Sequence, residues 1–259
     1  MTKMVKPLIL ITNDDGISSP GIRMLINQMN SLGDVVVVAP NSPQSGMGHA
    51  ITINDSLRCD IISIDSGSQK EYSCSGTPVD CVKLGVHEIL DRKPDLIVSG
   101  VNHGSNASVN VIYSGTMAAA IEGSMQGVPS IGFSLLDYSW EADFTEAEEY
   151  VLEIASKVLK NGLPNGICLN VNIPKMSNKK CNGIKICRQT IGKWIEDFDK
   201  RIDPNGKSYY WMTGAFKDQD GSDQSDIWAL NEKYVSIVPV KFDLTAHESL
   251  IDITKILGL

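Results

Sequence analysis

Short, continuous apolar runs alternate with longer amphipathic segments through the first two thirds of the chain. The runs 7–12 (PLILIT), 35–39 (VVVVA), 95–99 (DLIVS), 129–135 and 167–173 are bounded by Gly, Pro, Asn or Asp. They are too short for buried helices and apolar on both alternating faces, so they predict strands covered on both sides. Between them, residues 21–32 place apolar side chains at 22, 25, 26, 29 and 32, the spacing of one helical face. Residues 78–90 predict a helix with Thr77 as cap and Pro78 at its first position. Residues 115–126 predict a helix closed by Gly127. Residues 145–160 predict a longer one, with Thr145 and Glu148 fitting a capping box.

Strands of this kind separated by helices predict an α/β fold: a Rossmann-like, doubly wound, mostly parallel sheet. Ligands bind such sheets at the carboxyl ends of the strands. From residue 174 the pattern changes. Trp194, Trp211, Trp228, Tyr209 and Tyr210 fall here, and residues 214–226 are polar and acidic. This predicts a core over 1–173 and a C-terminal, strand-rich extension with hairpins over 174–259. Its aromatic residues serve either packing within the extension or a subunit interface.

The chain has 259 residues and a net charge of -8. That length supports a real core without disulfide or metal staples. The acidic balance excludes a nucleic-acid polymer as partner, which calls for a basic surface. No apolar stretch nears the roughly 18 residues of a membrane helix, so no membrane partner is expected. The N-terminal apolar run is too short for a signal peptide and ends in Asn13-Asp14-Asp15, so a cytoplasmic protein is expected. The six cysteines show no CxxC pair and no zinc spacing, and are expected as reduced packing residues.

Three predicted strands run directly into polar, Gly-containing stretches. Asn13-Asp14-Asp15-Gly16 follows the first, where Gly16 tolerates the turn. Two carboxylates about 5 Å apart repel by roughly 3 kcal/mol at an effective dielectric near 20. A hard divalent cation, Mg²⁺ or Mn²⁺, relieves this best; a solvated turn capping the next helix is the other reading. The second stretch, residues 40–49, offers the Ser45 hydroxyl as a small neutral ligand, with Gly46 and Gly48 allowing close approach of an anion. It is no dinucleotide fingerprint, because it leads into a strand-like Ile51-Thr52-Ile53. His49 is either a proton donor or a hydrogen-bonded loop residue.

The third stretch, residues 100–106, offers the Asn102 amide oxygen. Gly104, Ser105 and Asn106 add backbone N–H groups and small polar side chains. His103 is a candidate for contact with phosphate or leaving group, or an ordinary loop residue. Ser114-Gly115-Thr116 then opens a helix, where unpaired N–H groups and the positive dipole end favour an anion; simple capping is the alternative. Taken together, these residues point to metal-assisted chemistry on a phosphate.

The stretches ILITNDDG (9–16), VVVAPNSPQSGMGHAIT (36–52), SGTPVDCVKLG (75–85), PDLIVSGVNHGSN (94–106), YSGTMAAAIEG (113–123) and TAHESL (245–250) carry a resemblance covering nearly the whole chain. The chain resembles the survival protein SurE family of nucleoside-monophosphate phosphatases (5′/3′-nucleotidases). The resemblance implies one divalent metal ion per subunit, Mg²⁺ or Mn²⁺, held by Asp14, Asp15, Ser45 and Asn102. It also implies a C-terminal extension exchanged between subunits, in a homodimer or homotetramer. The implied substrates are nucleoside 5′- and 3′-monophosphates, and short-chain polyphosphate in some members.

The expected reaction is phosphomonoester hydrolysis, with Asp14 and Asp15 as catalytic residues and either one as proton acceptor. Gly46, Gly104, Ser105, Asn106, Ser114, Gly115 and Thr116 are expected around the phosphate. An aspartyl-phosphate route through Asp14 is disfavoured, because adjacent aspartates are not a DxD pair. A non-catalytic nucleotide sensor is the rival from another class. A dinucleotide-dependent oxidoreductase lacks its GxGxxG after the first strand.

Overall fold

Leu8–Thr12 forms β1, with Ile9 to Thr12 wholly buried. A computed structural model describes residues 6–139, 141–176 and 179–259. The start of the chain, with its first lysine, lies outside the described residues. The elements that follow are α1 (Pro20–Asn30), β2 (Asp34–Pro40), β3 (Cys59–Ile62), β4 (Lys70–Cys74), α2 (Pro78–Leu84), β5 (Leu96–His103), α3 (Asn110–Tyr113), α4 (Gly115–Met125), β6 (Ser130–Leu136), α5 (Glu148–Asn161) and β7 (Ile167–Pro174). After these come β8 (Ile184–Ile186), β9 (Gly192–Ile202), β10 (Ser208–Asp218), α6 (Asp226–Asn231), β11 (Val235–Lys241) and α7 (Leu250–Leu257).

Nine strands make one sheet in the order β3-β4-β2-β1-β5-β6-β7-β11-β8. The six from β4 to β7 in that order run parallel. β3 is antiparallel to β4, and β11 to β7. The fold is therefore the expected mostly parallel α/β sheet. Its strand order reverses at β1, which has β2 on one side and β5 on the other. The crevice beyond the carboxyl ends of β1 and β5 is the switch point where such sheets bind ligands.

The two faces explain the continuous apolar runs. Ile9, Ile11, Leu96 and Val98 pack with Ile22, Leu25 and Met29 of α1 and Val151, Ile154 and Ala155 of α5. Leu10, Val36, Val38 and Ile97 pack on the other face with Cys81 and Val82 of α2 and Ala119 of α4. All six cysteines are free thiols, four of them buried.

Several local expectations change. The helix over 78–90 is α-helical only to Leu84 and widens into a π turn over Gly85–Ile89. The capping box expected at Thr145 does not form, because the Asp143 carboxylate takes the Thr145 N–H (3.0 Å) and α5 begins only at Glu148. Ile51-Thr52-Ile53 stays irregular, since Thr52 gives its N–H (3.1 Å) and hydroxyl (2.6 Å) to Asp80 instead of a ladder. β5 runs past Ser99 to His103, with a register shift against β6 between Ser99 and Asn102.

Beyond residue 174 the chain partly returns to the sheet through β8 and β11. What stands outside is the β9–β10 hairpin and α7. Among the described residues no helix is long and apolar enough to cross a membrane.

Candidate functional site

The turn after β1 is folded by Asn13, whose side-chain N–H₂ donates to the Gly16 carbonyl and to Ser19 Oγ, both at 2.9 Å. Gly16 has φ +93°, a conformation that disfavours any side chain. This turn separates the two aspartates. Asp14 is buried against α4, where its carboxylate accepts from the Thr116 hydroxyl. The N-terminus of α4 approaches so closely that a Cβ on Gly115 would fall 2.8 Å from Asp14 Cβ. Asp15 lies on the other wall, with Oδ2 accepting from the His103 N–H (3.2 Å) and 3.1 Å from His103 Nδ1.

Burial, and then the charge of Asp15, push the Asp14 carboxyl from 3.8 up to about 6, although the Thr116 hydroxyl counteracts part of this. Burial in a low-dielectric wall and a neighbouring like charge both disfavour the ionised form.

The other two expected ligands lie at the neighbouring strand ends. The Gln44 N–H donates to the Asp14 carbonyl (2.7 Å), which brings the exposed Ser45 to the edge of the crevice. The register shift in β5 lies between Ser99 and Asn102, and the residue that follows Asn102, His103, is bonded to Asp15. Asn102 commits its N–H₂ to the carbonyls of His103 (2.9 Å) and Gly104 (3.0 Å). No hydrogen bond among the described residues engages its Oδ1, so the amide presents its oxygen as acceptor. Among the described residues no group of three or more His, Cys, Asp or Glu side chains gathers as a metal site. The set here is two carboxylates with a hydroxyl and an amide oxygen, hard oxygen donors that suit Mg²⁺ or Mn²⁺.

Ser114 caps α4, its Oγ accepting from Met117 N–H at 2.9 Å. Thr116 turns its hydroxyl to Asp14. Gly115 N–H is left in the first turn, where no intrahelical partner exists. The 104–106 loop differs from expectation. Its backbone N–H groups already donate to the Leu135 carbonyl (2.8 Å), Tyr138 Oη (3.1 Å) and Asn172 Oδ1 (2.8 Å). What Ser105 still offers a ligand is its hydroxyl. Gly46 is exposed at the rim.

Ser134, Asn170 and Asn172, which the sequence did not reveal, hold this loop through Asn106 and its neighbours. Asn106 donates to Ser134 Oγ (2.8 Å), Asn170 donates to the Asn106 carbonyl (2.8 Å), and Asn172 donates to Asn170 Oδ1 (2.8 Å). Asp226, wholly buried, accepts from the Ser108 N–H (2.8 Å) and from Thr190 N–H (3.0 Å) and hydroxyl (2.6 Å). The readable signal was the alternation Asn170-Val171-Asn172 in a strand otherwise apolar on both faces.

His49 is a hydrogen-bonded loop residue. It faces Glu122 of α4 (3.2 Å), which also binds Lys83 (2.8 Å) and Gln126 (2.7 Å). Burial raises the Glu122 carboxyl, but the bonds from His49, Lys83 and Gln126 outweigh it and hold the group down at about 2.

Against known proteins, the profile described as Survival protein SurE matches residues 9–196. The chain belongs to the SurE family. It is 60% identical over 251 residues to a protein of Christiangramia forsetii named 5'-nucleotidase SurE, covering 96% of each chain. It is 61% identical over 247 residues to the Flavobacterium psychrophilum protein of that name, covering 95% of this chain and 96% of the relative. The crystal structure of SurE from Aquifex aeolicus superposes with a TM-score of 0.83 at 39% identity, over 97% of this chain and 100% of that one. The crevice described above thus lies in a SurE fold.

Proposed function

We propose that this chain is a metal-dependent nucleotide phosphatase that hydrolyses nucleoside 5′- and 3′-monophosphates at the crevice between β1 and β5. The observation that carries the reading is the Asp14–Asp15 pair at the switch point, with the Asp14 carboxyl raised to about 6 by burial and then by the charge of Asp15. The relatives that bear the name 5'-nucleotidase SurE support it.

Asp14, Asp15, Ser45 and Asn102 would hold one Mg²⁺ or Mn²⁺. When bound, that ion supplies charge for the phosphoryl oxygens and acidifies a water. The chain's own residues do the remaining work. Thr116 fixes the Asp14 carboxylate and His103 fixes that of Asp15. Gly115 N–H and the dipole of α4 receive a phosphate oxygen. The Ser105 hydroxyl and the rim at Gly46 close the cradle. The Asp15 carboxylate is the more exposed of the pair and already exchanges a hydrogen bond with an imidazole. It is therefore placed to accept the attacking water's proton and pass it to His103.

A homodimer or homotetramer is part of this reading. The β9–β10 hairpin exposes Ile195, Phe198, Tyr210, Trp211 and Met212, and α7 exposes Ile251, Ile253 and Ile256. An apolar hollow of about 830 Å³ beside α4, lined among others by Ile121, Met125, Val238 and Phe242, offers a seat for such a segment from a second copy.

The test is phosphate release from mononucleotides and short polyphosphate with varied divalent ions. Turnover that requires Mn²⁺ or Mg²⁺ and vanishes in Asp14→Asn is the expected result. Nucleotide binding without phosphate release would make the protein a sensor instead.

A further inference from the structure

The proposed phosphate cradle has a neighbour. A cavity of about 480 Å³ opens between Tyr113 and the root of the hairpin, lined by Tyr113, Trp194, Glu196, Met212, Thr213 and Gly214. Its size suits one ring system with its sugar. Two links tie it to the cradle. Tyr113 immediately precedes Ser114 and Gly115. Asn110 donates to the Ser105 carbonyl (3.2 Å) while its Oδ1 accepts from Trp194 Nε1 (2.8 Å), so one side chain spans from the phosphate loop to the cavity wall.

The hairpin register explains the slot. Trp194 lies opposite Phe216 and Glu196 opposite Gly214, and directly opposed residues share a face. Trp194 and Phe216 meet edge to face with centroids 6.0 Å apart, which steadies the indole. At Gly214 the two strands approach so closely that a Cβ there would fall 2.5 Å from the Ile195 carbonyl oxygen, and Gly214 and Glu196 both line the cavity. No hydrogen bond or ion pair among the described residues engages the Glu196 carboxylate.

Resting on the phosphatase reading above, we infer that this cavity is the nucleobase pocket of the site and that Glu196 makes it favour guanine. Aromatic walls bind any base by its π face. A carboxylate only accepts, and it pairs best with two adjacent donors. Guanine presents N1–H and N2–H₂ side by side. Adenine sets an acceptor beside its amine, and hypoxanthine lacks the amine. The carboxylate also repels a second phosphate, which makes this end of the crevice a place for a base.

The experiment compares kcat and KM on GMP, IMP, AMP and p-nitrophenyl phosphate for the Mn²⁺-loaded protein and three variants, with guanosine binding followed by calorimetry. Wild type is expected to prefer GMP over IMP by about tenfold or more in kcat/KM. Trp194→Ala should raise KM for GMP about 5- to 150-fold, the worth of one stacked base. The loss should be greater on GMP than on p-nitrophenyl phosphate, which carries no nucleobase, by about fivefold or more. Trp194→Phe should keep most of the GMP affinity, and Glu196→Gln should bring the GMP:IMP ratio to about one. Equal losses on GMP and p-nitrophenyl phosphate, or unchanged GMP kinetics in both Trp194→Ala and Glu196→Gln, would overturn the pocket. If wild type cleaves no phosphomonoester, the phosphatase reading falls, and guanosine binding lost in Trp194→Ala still decides the pocket.

Discussion

At the scale of single residues, Asp14 is held in a state that opposes its own charge. Its carboxyl is raised from 3.8 to about 6, so in the metal-free protein stability falls as pH rises through that window and stays lower above it. The penalty is about 3 kcal/mol at neutral pH, to order of magnitude. Asp14→Asn should therefore abolish turnover while raising the melting temperature of the metal-free protein at pH 7. Thermal melts with and without chelator check this, and a lower melting temperature for the variant would contradict it. Thr116→Val removes the hydroxyl that steadies Asp14 and should weaken Mn²⁺ activation about 10- to 100-fold, read from activity against metal concentration. The four proposed ligands were legible because an apolar run breaks abruptly into Asp-Asp, and two other runs break into Ser- and Asn-bearing loops. Asn170, Asn172 and Asp226 were not. Their partners lie 64, 66 and 118 positions away; the alternation Asn170-Val171-Asn172 marks two polar positions in a buried strand, but nothing local names the partners of bonds made at such range.

At the scale of elements, α4 joins the site to the body of the protein. Its first turn touches Asp14, and two turns later it carries Glu122, buried and bonded by Lys83, His49 and Gln126. The Glu122 carboxyl sits at about 2 against an ordinary 4.5. Its contribution is complete above pH 4.5 and is lost as pH falls toward 2. Glu122→Gln should thus cost about 2 kcal/mol at neutral pH, and the gap to wild type should narrow between pH 4.5 and 2 in denaturant titrations. A constant gap across that range would refute the charge pairing. The parallel strands were legible since both faces are covered and periodicity disappears into continuous Val, Ile and Leu. β3 and β4 were not, because at the sheet edge Asp60, Ile61 and Lys70 stay exposed and no face reads as continuously apolar. The helix start at Thr145 was misplaced for a simpler reason: Asp143, two positions earlier, is the stronger acceptor.

At the scale of the whole molecule, much of the apolar surface of α7 and the hairpin is left exposed by the described residues of one chain. Removal of residues 245–259 should shift the protein toward smaller species in light scattering, while far-UV circular dichroism keeps the signature of the sheet. An unchanged mass would show that α7 plays no part in assembly. The change of character after residue 174 was legible from composition. The return of β11 into the sheet was not, since a strand that pairs antiparallel with β7 looks the same in sequence as a hairpin strand.

The bond from Ser108 to Asp226 spans 118 positions and ties the middle of the chain to its last part. A polypeptide leaving the ribosome makes β1, β5 and α4 long before that carboxylate exists. The nascent chain can thus display both aspartates, with residues 104–106 already held by Ser134, Asn170 and Asn172, before the Ser108 N–H meets its acceptor. Any fragment cut short of α6 should therefore exchange the Ser108 and Thr190 amide protons faster than the full chain does.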